Sequence, residues 1–384
     1  MIKNVLFFHQ SADLYGSDRV LLSVLKSFDQ NKYKAIVLIP KDGPLVNEFI
    51  DNNIEYHVLP LCCLSRSILT FPGILRLPFH LIKSLFLINK IVGDRPVDFV
   101  YSNTLVVLSG AVWSFLKKTP HFWHVHEILI APKFVRYIYS ILLSLFADKI
   151  ICVSNSVRSN LIEIKPSLDH KIVVIWNGVV RTQKFNNFAA EKYRQTLGLY
   201  PRDVLIVLVG RVNRLKGQKL LVEAATKLFQ VRSNIKFLMV GSPVFGQEHY
   251  LTSLIALADQ SPAKANIRIE PFNNNIWTIW DACDIAVIPS IEPESFGLVA
   301  IEAMASKKPV IASNHGGLSE VVVSGESGIL INPGDVDSLV NALKFLVDNR
   351  QARIEMGMTG YLRYLNEFSS NVFSQKIHSL FESY

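Results

Sequence analysis

The chain has 384 residues, of which 49% are hydrophobic and 19% are charged. This composition excludes a disordered chain, and the length exceeds that of one ordinary domain, so we expect two domains with large buried cores. The net charge of +8, from 40 basic and 32 acidic residues, favours anionic partners such as nucleotides, nucleic acid or an anionic membrane face. The four scattered cysteines, with no CxxC spacing, are typical of buried thiols in a reducing compartment.

Apolar runs typical of buried strands alternate with helical patterns through the first half of the chain. The predicted strands cover residues 5–8, 34–39, 56–59, 99–101, 121–126 and 149–153, and the clearest helices cover residues 18–28 and 102–116. The apolar N-terminal run is too short for a signal peptide and leads into polar residues, so we interpret it as the first strand. No uncharged apolar run reaches the roughly 18 residues that a membrane-spanning helix needs.

Two polar features follow predicted strands of the first half. Gly16 and Ser17 lie where a helix begins, so that backbone amides can approach a phosphate, although a Ser17 or Asp18 helix cap explains the pattern nearly as well. The two-residue period of a strand puts His124 and His126 on one face. The alternatives are a satisfied core histidine and a zinc pair, and zinc is disfavoured because no third or fourth ligand is spaced nearby. We favour His126 in a ligand-binding cleft.

Residues 62–92 are strongly apolar and carry four basic side chains, Arg66, Arg76, Lys83 and Lys90. Basic amphipathic segments of this kind can lie in the interface of a bilayer. Residues 133–145 show a weaker version of the pattern. The alternative is helices that pack in the core while their long basic side chains reach solvent. Both interpretations stay open, with membrane contact favoured for residues 62–92.

The alternation of strands and helices continues in the second half, with predicted strands at residues 204–210, 235–241, 267–269, 284–289 and 309–312. Such alternation predicts parallel sheets with helices on both faces. The turn at Asn177-Gly178, followed by a polar stretch, marks the domain boundary. The predicted fold class is therefore α/β, with two Rossmann-like doubly wound domains at residues 1–178 and 179–370 and a last helix at residues 371–384.

The first basic motif of the second half follows the strand at residues 204–209. Gly210-Arg211 ends this strand, and Lys216-Gly217 follows five residues later. Two cations in one loop can neutralise a diphosphate, because Arg clamps phosphate oxygens and Lys acts as a point charge. Taken alone, the motif is explained better as a solvated loop. Together with the acidic segment described next, the functional interpretation is favoured.

Two acids flank a strand-to-helix turn, Glu294 before the helix and Glu302 within it. The carboxyl ends of strands in open α/β sheets are where ligands bind. Both acids can accept hydrogen bonds from hydroxyl groups, and the backbone amides of Phe296, Gly297 and Leu298 are expected to point out of the first helical turn. A polyol such as a sugar on a nucleotide fits these groups.

The pattern Asp335-Val336-Asp337 formally matches the DxD sequence that holds a divalent metal in some sugar transferases. It opens an apolar helix, so a helix cap is the better interpretation. The chain contains neither GxGxxG nor GxxxxGK[ST], which argues against dinucleotide oxidoreductases and P-loop NTPases.

Together these motifs resemble the retaining glycosyltransferases of family 4, also called glycosyl transferases group 1, which have the GT-B fold. The matching residues are Gly16, His126, Asn177-Gly178, Gly210-Arg211, Lys216-Gly217, Glu294 to Glu302, Gly316-Gly317 with Glu320, and Gly325 with Gly328-Ile329-Leu330 and Pro333-Gly334-Asp335. The resemblance implies two Rossmann-like domains facing a central cleft, an acceptor-binding first domain, a nucleotide-sugar-binding second domain, and a C-terminal helix that crosses back to the first.

The resemblance also implies the roles of single residues. Arg211 and Lys216 would hold the diphosphate, Glu294 the transferred sugar and Glu302 the ribose, with His126 beside sugar and acceptor. The expected catalytic residues are His126, Glu294, Arg211 and Lys216. The expected donor site comprises Gly16, Ser17, Gly210, Arg211, Lys216, Gly241, Phe272, Glu294, Ser295, Phe296, Gly297, Leu298 and Glu302. No cofactor or metal is expected.

We therefore expect a transferase that moves a sugar from a nucleotide-diphosphate sugar to a glycan or lipid-linked acceptor in surface polysaccharide or glycolipid synthesis. The expected location is the cytoplasm, with peripheral contact at the inner face of the plasma membrane through residues 62–92. The alternatives are a nucleotide-sugar epimerase or a phosphorylase on the same fold, and a sugar-nucleotide-binding protein without activity. Nucleic-acid binding is disfavoured because the basic residues are dispersed.

Overall fold

The structure is a computed structural model that describes residues 2–64, 71–130, 132–230 and 234–384, with the side chains of residues 71–74 excepted. Arg66 of the basic segment lies outside these residues. The chain divides into two compact units. The first unit comprises Met1–Gly178 with Ser370–Tyr384, and the second comprises Val179–Ser369.

The described residues of the first unit form a seven-stranded sheet in the order β3-β2-β1-β4-β5-β6-β7, with every neighbouring pair parallel. This confirms the predicted parallel sheet. Its strands are β1 (Lys3–His9), β2 (Tyr33–Ile39), β3 (Glu55–Val58), β4 (Phe99–Asn103), β5 (His121–Val125), β6 (Lys149–Cys152) and β7 (Ile172–Val174). Its helices are α1 (Gly16–Ser27), α2 (Pro44–Asp51), α3 (Phe71–Val92), α4 (Leu108–Lys117), α5 (Lys133–Phe146), α6 (Asn155–Ile162) and the C-terminal α15 (Ser370–Glu382).

The first unit differs from the prediction around residues 102–116. The predicted helix begins only at Leu108, because β4 runs on to Asn103 and Thr104 has a φ of +135° that no helix allows. The amide of Leu108 donates to the carbonyl of Cys62 at 2.9 Å, so the intervening residues are held as a loop. The edge strand β7 was not predicted; its three residues are half-buried and too short to show a period.

The C-terminal helix α15 packs in the first unit, as the fold class predicted. Its side chain Phe381 is completely buried. The ring lies 5.0 Å from those of Phe28 and Phe122 and 5.5 Å from that of Phe99, measured between centroids. The last residues of the chain therefore complete the core of the unit that contains its first residues.

The described residues of the second unit form a six-stranded parallel sheet in the order β10-β9-β8-β11-β12-β13. Its strands are β8 (Val204–Val209), β9 (Ile235–Val240), β10 (Ile267–Glu270), β11 (Ile285–Ile288), β12 (Val310–Ser313) and the unpredicted edge strand β13 (Gly328–Ile331). Its helices are α7 (Asn187–Thr196), α8 (Gln218–Phe229), α9 (His249–Gln260), α10 (Ile276–Ala282), α11 (Leu298–Ala305), α12 (Leu318–Val321), α13 (Val336–Asp348) and α14 (Arg350–Arg363).

The long helix α3 carries an exposed apolar face. Leu75, Phe79, Ile82 and Phe86 recur every three or four residues and are each 66–69% exposed. Within the described parts of the chain, no helix combines the length and the apolar character that crossing a membrane requires.

Candidate active site

An ion pair joins two loops at the carboxyl ends of β8 and β11. Nζ of Lys216 lies 2.8 Å from Oε1 of Glu294, and both side chains are largely shielded from solvent. The hydroxyl of Ser290 donates a short hydrogen bond to the same carboxylate oxygen. The structure therefore brings together a cation and an acid that sequence analysis placed in separate motifs, and it adds Ser290, to which sequence analysis assigned no role.

The two loops are fixed to each other by their backbones. The amide of Ile291 donates to the carbonyl of Leu215 at 2.8 Å. Gly217 has a φ of +74°, and a Cβ at this position would lie 2.0 Å from the carbonyl oxygen of Pro289. Only glycine fits this close approach in that conformation. The stem of Lys216 lies over Gly210, where an added Cβ would be 3.7 Å from Cδ of Lys216.

The environment of Glu294 keeps its side chain ionised. Burial raises the pKa of this carboxyl, but the charge and hydrogen bond of Lys216, the hydroxyl of Ser290 and the nearby His315 together hold it below its ordinary value. Glu294 is therefore an acceptor of hydrogen bonds, and it can receive them from the hydroxyl groups of a ligand.

The glycine turn after β12 lies directly against Glu294. The amide of Gly317 donates to the Glu294 carbonyl at 2.7 Å, and Gly316, with a φ of +60°, would bring a Cβ within 2.4 Å of the same oxygen. His315 precedes this turn, and neither of its buried ring nitrogens has a hydrogen-bond partner among the described residues. Sequence analysis named the neighbouring Gly316-Gly317 but gave His315 no role; its only signal was proximity to that turn.

The helix α11 begins later in the chain than sequence analysis expected, so it does not include all three predicted amide donors. Gly297 is its N-cap and Leu298 its first residue, so of the three predicted amides only that of Leu298 belongs to the first helical turn. Phe296 is buried, with its ring 6.0 Å from that of Phe368. Ser295 is half-buried in the loop that leads into this helix.

Glu302 lies inside α11 and is 6% exposed. The indole nitrogen of Trp280 donates to its Oε2 at 3.4 Å. Because Glu302 follows Leu298 by four residues, both lie on one face of the helix. Trp280 is a partner that the sequence did not indicate.

The other predicted donor residues of the second unit lie in neighbouring loops at the same sheet edge. Arg211 is exposed, and its carbonyl accepts a hydrogen bond from Nε2 of Gln218 at 2.8 Å. Gly241 approaches the carbonyl of Gly210 so closely that a Cβ would lie 1.9 Å from that oxygen. Phe272 is 53% exposed, and its amide donates to the hydroxyl of Ser242.

Three predicted site residues lie in the first unit, namely Gly16, Ser17 and His126. Helix α1 starts at Gly16, two residues earlier than predicted. Asp18 caps this start, because its Oδ2 accepts the amide hydrogen of Tyr15 at 2.8 Å.

His126 follows β5, and its ring lies 4.1 Å from that of His124, which places the two on one face as predicted. Its Nε2 lies 2.9 Å from Oδ1 of Asn103. Burial, with smaller effects of the neighbouring His124 and His9, lowers the pKa of His126 well below its ordinary value, so the ring is neutral. Burial also raises the pKa of the adjacent Glu127 to about 7.

The DxD pattern is a helix cap, as the sequence favoured. Oδ1 of Asp335 accepts the backbone amide hydrogens of Asp337 at 2.9 Å and Ser338 at 3.0 Å. Asp335 is therefore the N-cap of α13.

The chain matches two family models that lie one after the other. The model described as Glycosyltransferase Family 4 matches residues 15–183, and the model described as Glycosyl transferases group 1 matches residues 189–363. The capsular polysaccharide biosynthesis glycosyltransferase CapM of Staphylococcus aureus is 25% identical over 369 residues, which are 93% of this chain and 92% of that protein. The D-inositol 3-phosphate glycosyltransferase of Rhodococcus opacus is 35% identical over 195 residues, which are 50% of this chain and 43% of that protein.

Solved structures match the fold of this chain over nearly its full length. The Anabaena protein HepE, in complex with UDP-glucose, is 24% identical and superposes with a TM-score of 0.84 over 99% of this chain and 100% of that chain. A glycosyltransferase from Rickettsia africae is 23% identical, with a TM-score of 0.86 over 100% of this chain and 98% of that chain. With both of its halves matched by glycosyltransferase families and its fold shared with GT-B enzymes, the chain belongs to glycosyltransferase family 4.

Proposed function

We propose that the protein is a retaining glycosyltransferase whose second unit binds a nucleotide-diphosphate sugar at the Lys216–Glu294 pair. This ion pair carries the proposal, because it sets an ionised hydroxyl acceptor beside a phosphate-binding cation at the carboxyl edge of a parallel sheet. Lys216 and the exposed Arg211 would bind the diphosphate, and Glu294 would accept hydrogen bonds from the transferred sugar. His315, beside Glu294, offers two further unpartnered ring nitrogens to the same ligand.

The proposed chemistry follows from the charges that develop during transfer. As the bond between the anomeric carbon and the phosphate oxygen breaks, positive charge grows on the sugar and negative charge on the diphosphate. Fixed cations such as Lys216 and Arg211 stabilise that negative charge. In the retaining reaction, the acceptor oxygen bonds to the anomeric carbon on the face that the diphosphate leaves, and the acceptor's proton passes to the leaving phosphate oxygen. We propose a UDP-sugar as the first donor to test, since the HepE structure holds UDP-glucose in the same fold.

We also propose that transfer needs no metal ion. The carboxylate of Asp335 in the DxD pattern is engaged by two backbone amides, and the proposed diphosphate site has its own cations. Turnover should therefore be unchanged when EDTA is added to the purified protein. Loss of turnover in EDTA that Mg²⁺ or Mn²⁺ restores would contradict this part of the proposal.

For the acceptor we propose a growing glycan or a lipid-linked glycan at a membrane surface. Support comes from CapM, a capsular polysaccharide glycosyltransferase that matches nearly the whole chain. The exposed apolar face of α3, together with the exposed Lys83 and Lys90 on that helix, has the amphipathic and basic character of segments that lie in a bilayer interface.

The test of the donor site is substitution of the ion pair. Lys216→Ala removes a phosphate-binding charge, and Glu294→Gln removes the ionised acceptor while keeping its shape. We expect each variant to lose at least about 100-fold in kcat, the cost typical of removing one preorganised group that stabilises developing charge. The measurement is release of UDP from UDP-glucose and a panel of other nucleotide sugars, with product anomers identified by NMR.

A matched control lies in the same two loops. Arg214 and Glu292 form an exposed ion pair two residues before Lys216 and Glu294. Because exposed pairs contribute less than about 1 kcal/mol, Arg214→Ala and Glu292→Gln should keep turnover within about threefold of wild type. Near-wild-type turnover in both folded test variants would contradict the proposed function, as would loss of turnover in the control variants to the same degree.

A further inference from the structure

A chain of polar side chains, closed to solvent, runs through the first unit from the first turn of α1 to His126. Asp18, His9 and Asn103 are each at most 1% exposed. Nε2 of His9 lies 2.7 Å from Oδ1 of Asp18, and Nδ1 of His9 lies 3.1 Å from Nδ2 of Asn103. The side-chain oxygen of Asn103 then meets Nε2 of His126 at 2.9 Å. A buried polar group that loses its hydrogen-bond partner destabilises the fold, so each member of this chain restricts the orientation of its neighbours.

The orientation of the Asn103 amide follows from one further contact. Nδ2 of Asn103 lies 3.0 Å from the backbone carbonyl oxygen of Ser17. If the amide were flipped, two oxygens would face each other at that distance, so the amide nitrogen must point to Ser17. Oδ1 of Asn103 must then point to His126. This assignment of the Asn103 amide holds whichever ring nitrogen of His9 carries the hydrogen.

The orientation of Asn103 determines the tautomer of His126. An amide oxygen only accepts hydrogen bonds, so Nε2 of His126 must carry the hydrogen. The ring of His126 is neutral, and a neutral imidazole carries one hydrogen. Nδ1 of His126 is therefore an unprotonated acceptor, which suits a hydroxyl donor and does not suit a phosphate oxygen.

The backbone directly after Asn103 is strained. Thr104 is a β-branched residue with a φ of +135°, a conformation that such residues rarely adopt. It is completely buried, and its carbonyl accepts a hydrogen bond from the indole nitrogen of Trp123 at 2.8 Å. The surrounding structure thus enforces the turn that sets Asn103 at the end of β4.

We propose that Asn103 is a positioning residue that locks His126 as the Nε2–H tautomer and ties it to the first turn of α1. Nδ1 of His126 is thereby held ready to accept a hydrogen bond from a carbohydrate hydroxyl. The tautomer rests on this structure alone, whereas its use toward a carbohydrate rests on the proposed function.

The test is the protonation pattern of the His126 ring, read by nitrogen NMR of protein labelled in its histidine rings and assigned with His126→Gln. The wild-type protein should show a neutral ring protonated at Nε2. Asn103→Leu removes the acceptor and should give a mixture of tautomers. Ser102→Ala is the matched control, since Ser102 lies on the same strand and its hydroxyl is hydrogen-bonded to Nε2 of His121 at 2.8 Å. This variant should leave the tautomer of His126 unchanged.

Turnover of UDP-glucose gives a second measurement. Loss of one hydrogen bond to the positioned ring should lower kcat/KM about five- to tenfold in Asn103→Leu, with the affinity for UDP unchanged. A wild-type ring protonated at Nδ1, or an Asn103→Leu ring that still shows pure Nε2–H, would overturn the inference. The wild-type spectrum decides this even if Asn103→Leu does not fold. A wild-type protein that binds no UDP would contradict the proposed function and leave the tautomer result standing.

Discussion

At the scale of single residues, the proposed donor site depends on charges that are partly withdrawn from water. Lys216 lies 2.8 Å from Glu294 and helps to keep that carboxylate ionised, and the Ser290 hydroxyl supplies a further hydrogen bond to the acid. Removing one member leaves the other without its partner, and this lowers the stability of the protein more than breaking an exposed ion pair does. The stability of each variant must therefore be measured beside its turnover, so that a loss of activity is not a loss of fold.

Glu127, next to His126, makes the stability of the protein depend on pH. Burial raises its pKa to about 7, although the amide hydrogens of Leu105 and His126 partly oppose this shift. In the unfolded chain the same carboxyl ionises near its ordinary pKa of about 4.3. The contribution of protonated Glu127 to the stability of the folded protein is thus fully present below the unfolded-state pKa, and it is lost as the pH rises through about 7.

We therefore expect Glu127→Gln to become more stable relative to the wild type as the pH rises from 5 to 8. The amide keeps an oxygen for the two backbone donors and never ionises. Urea unfolding of both proteins at several pH values measures the difference. The exposed Glu326 provides a control, as Glu326→Gln should show no such trend. An equal difference between Glu127→Gln and wild type at every pH would contradict the assignment.

At the scale of elements, helix α3 presents an apolar face to solvent. One side of the helix is buried at Ser84, Ile88 and Val92, whereas the opposite side presents Leu75, Phe79, Ile82 and Phe86 to solvent. An ordinary surface helix is polar on the outward face. The exposed apolar residues on α3 are therefore the surface on which the proposed membrane contact can be tested.

We expect the protein to co-sediment with vesicles of mixed phosphatidylcholine and phosphatidylglycerol at low salt. The double variant Phe79→Ser and Phe86→Ser should lower the bound fraction strongly, because each buried phenyl ring contributes about 1.5–3 kcal/mol. Phe245→Ser is a matched control, since Phe245 is a fully exposed phenylalanine of the second unit.

Two results would contradict the membrane proposal. The wild-type protein could stay in the supernatant at low salt, or the double variant on α3 could sediment as the wild type does. Salt dependence separates the two contributions, because attraction of the basic residues to anionic lipid weakens as salt is added and burial of the phenyl rings does not.

At the scale of the whole molecule, the C-terminal helix α15 belongs to the same unit as the N-terminal residues. Helix α15 follows the complete second unit in sequence yet supplies Phe381 to the aromatic core of the first unit. The stability of the first unit thus depends on residues that follow the second unit in sequence.

Phe381→Ala should destabilise the protein by about 3–5 kcal/mol, the usual cost of truncating a fully buried phenylalanine. The adjacent Glu382 provides the control, because its side chain forms an exposed ion pair with Lys32 at 2.9 Å. Glu382→Ala should cost less than about 1 kcal/mol. Urea unfolding measures both, and equal costs would show that α15 does not complete the core.

The sequence determined the alternation of strands and helices, the two parallel sheets and the motifs at their carboxyl ends. These follow from local patterns, since burial imposes a period on neighbouring residues and a helix start imposes its capping residues. Such patterns failed for the edge strands β7 and β13, which are short and partly exposed, and for the start of α4, where a strained Thr104 ends the regular backbone.

Only the tertiary structure decided which distant residues meet. The contact of Lys216 with Glu294, the place of His315 beside them, and the chain from Asp18 through His9 and Asn103 each join segments that are far apart in sequence. Such contacts depend on the order of strands within a sheet, which no local period encodes. The sequence therefore supplied the chemical groups, and the packing of the sheets set the distances at which those groups act.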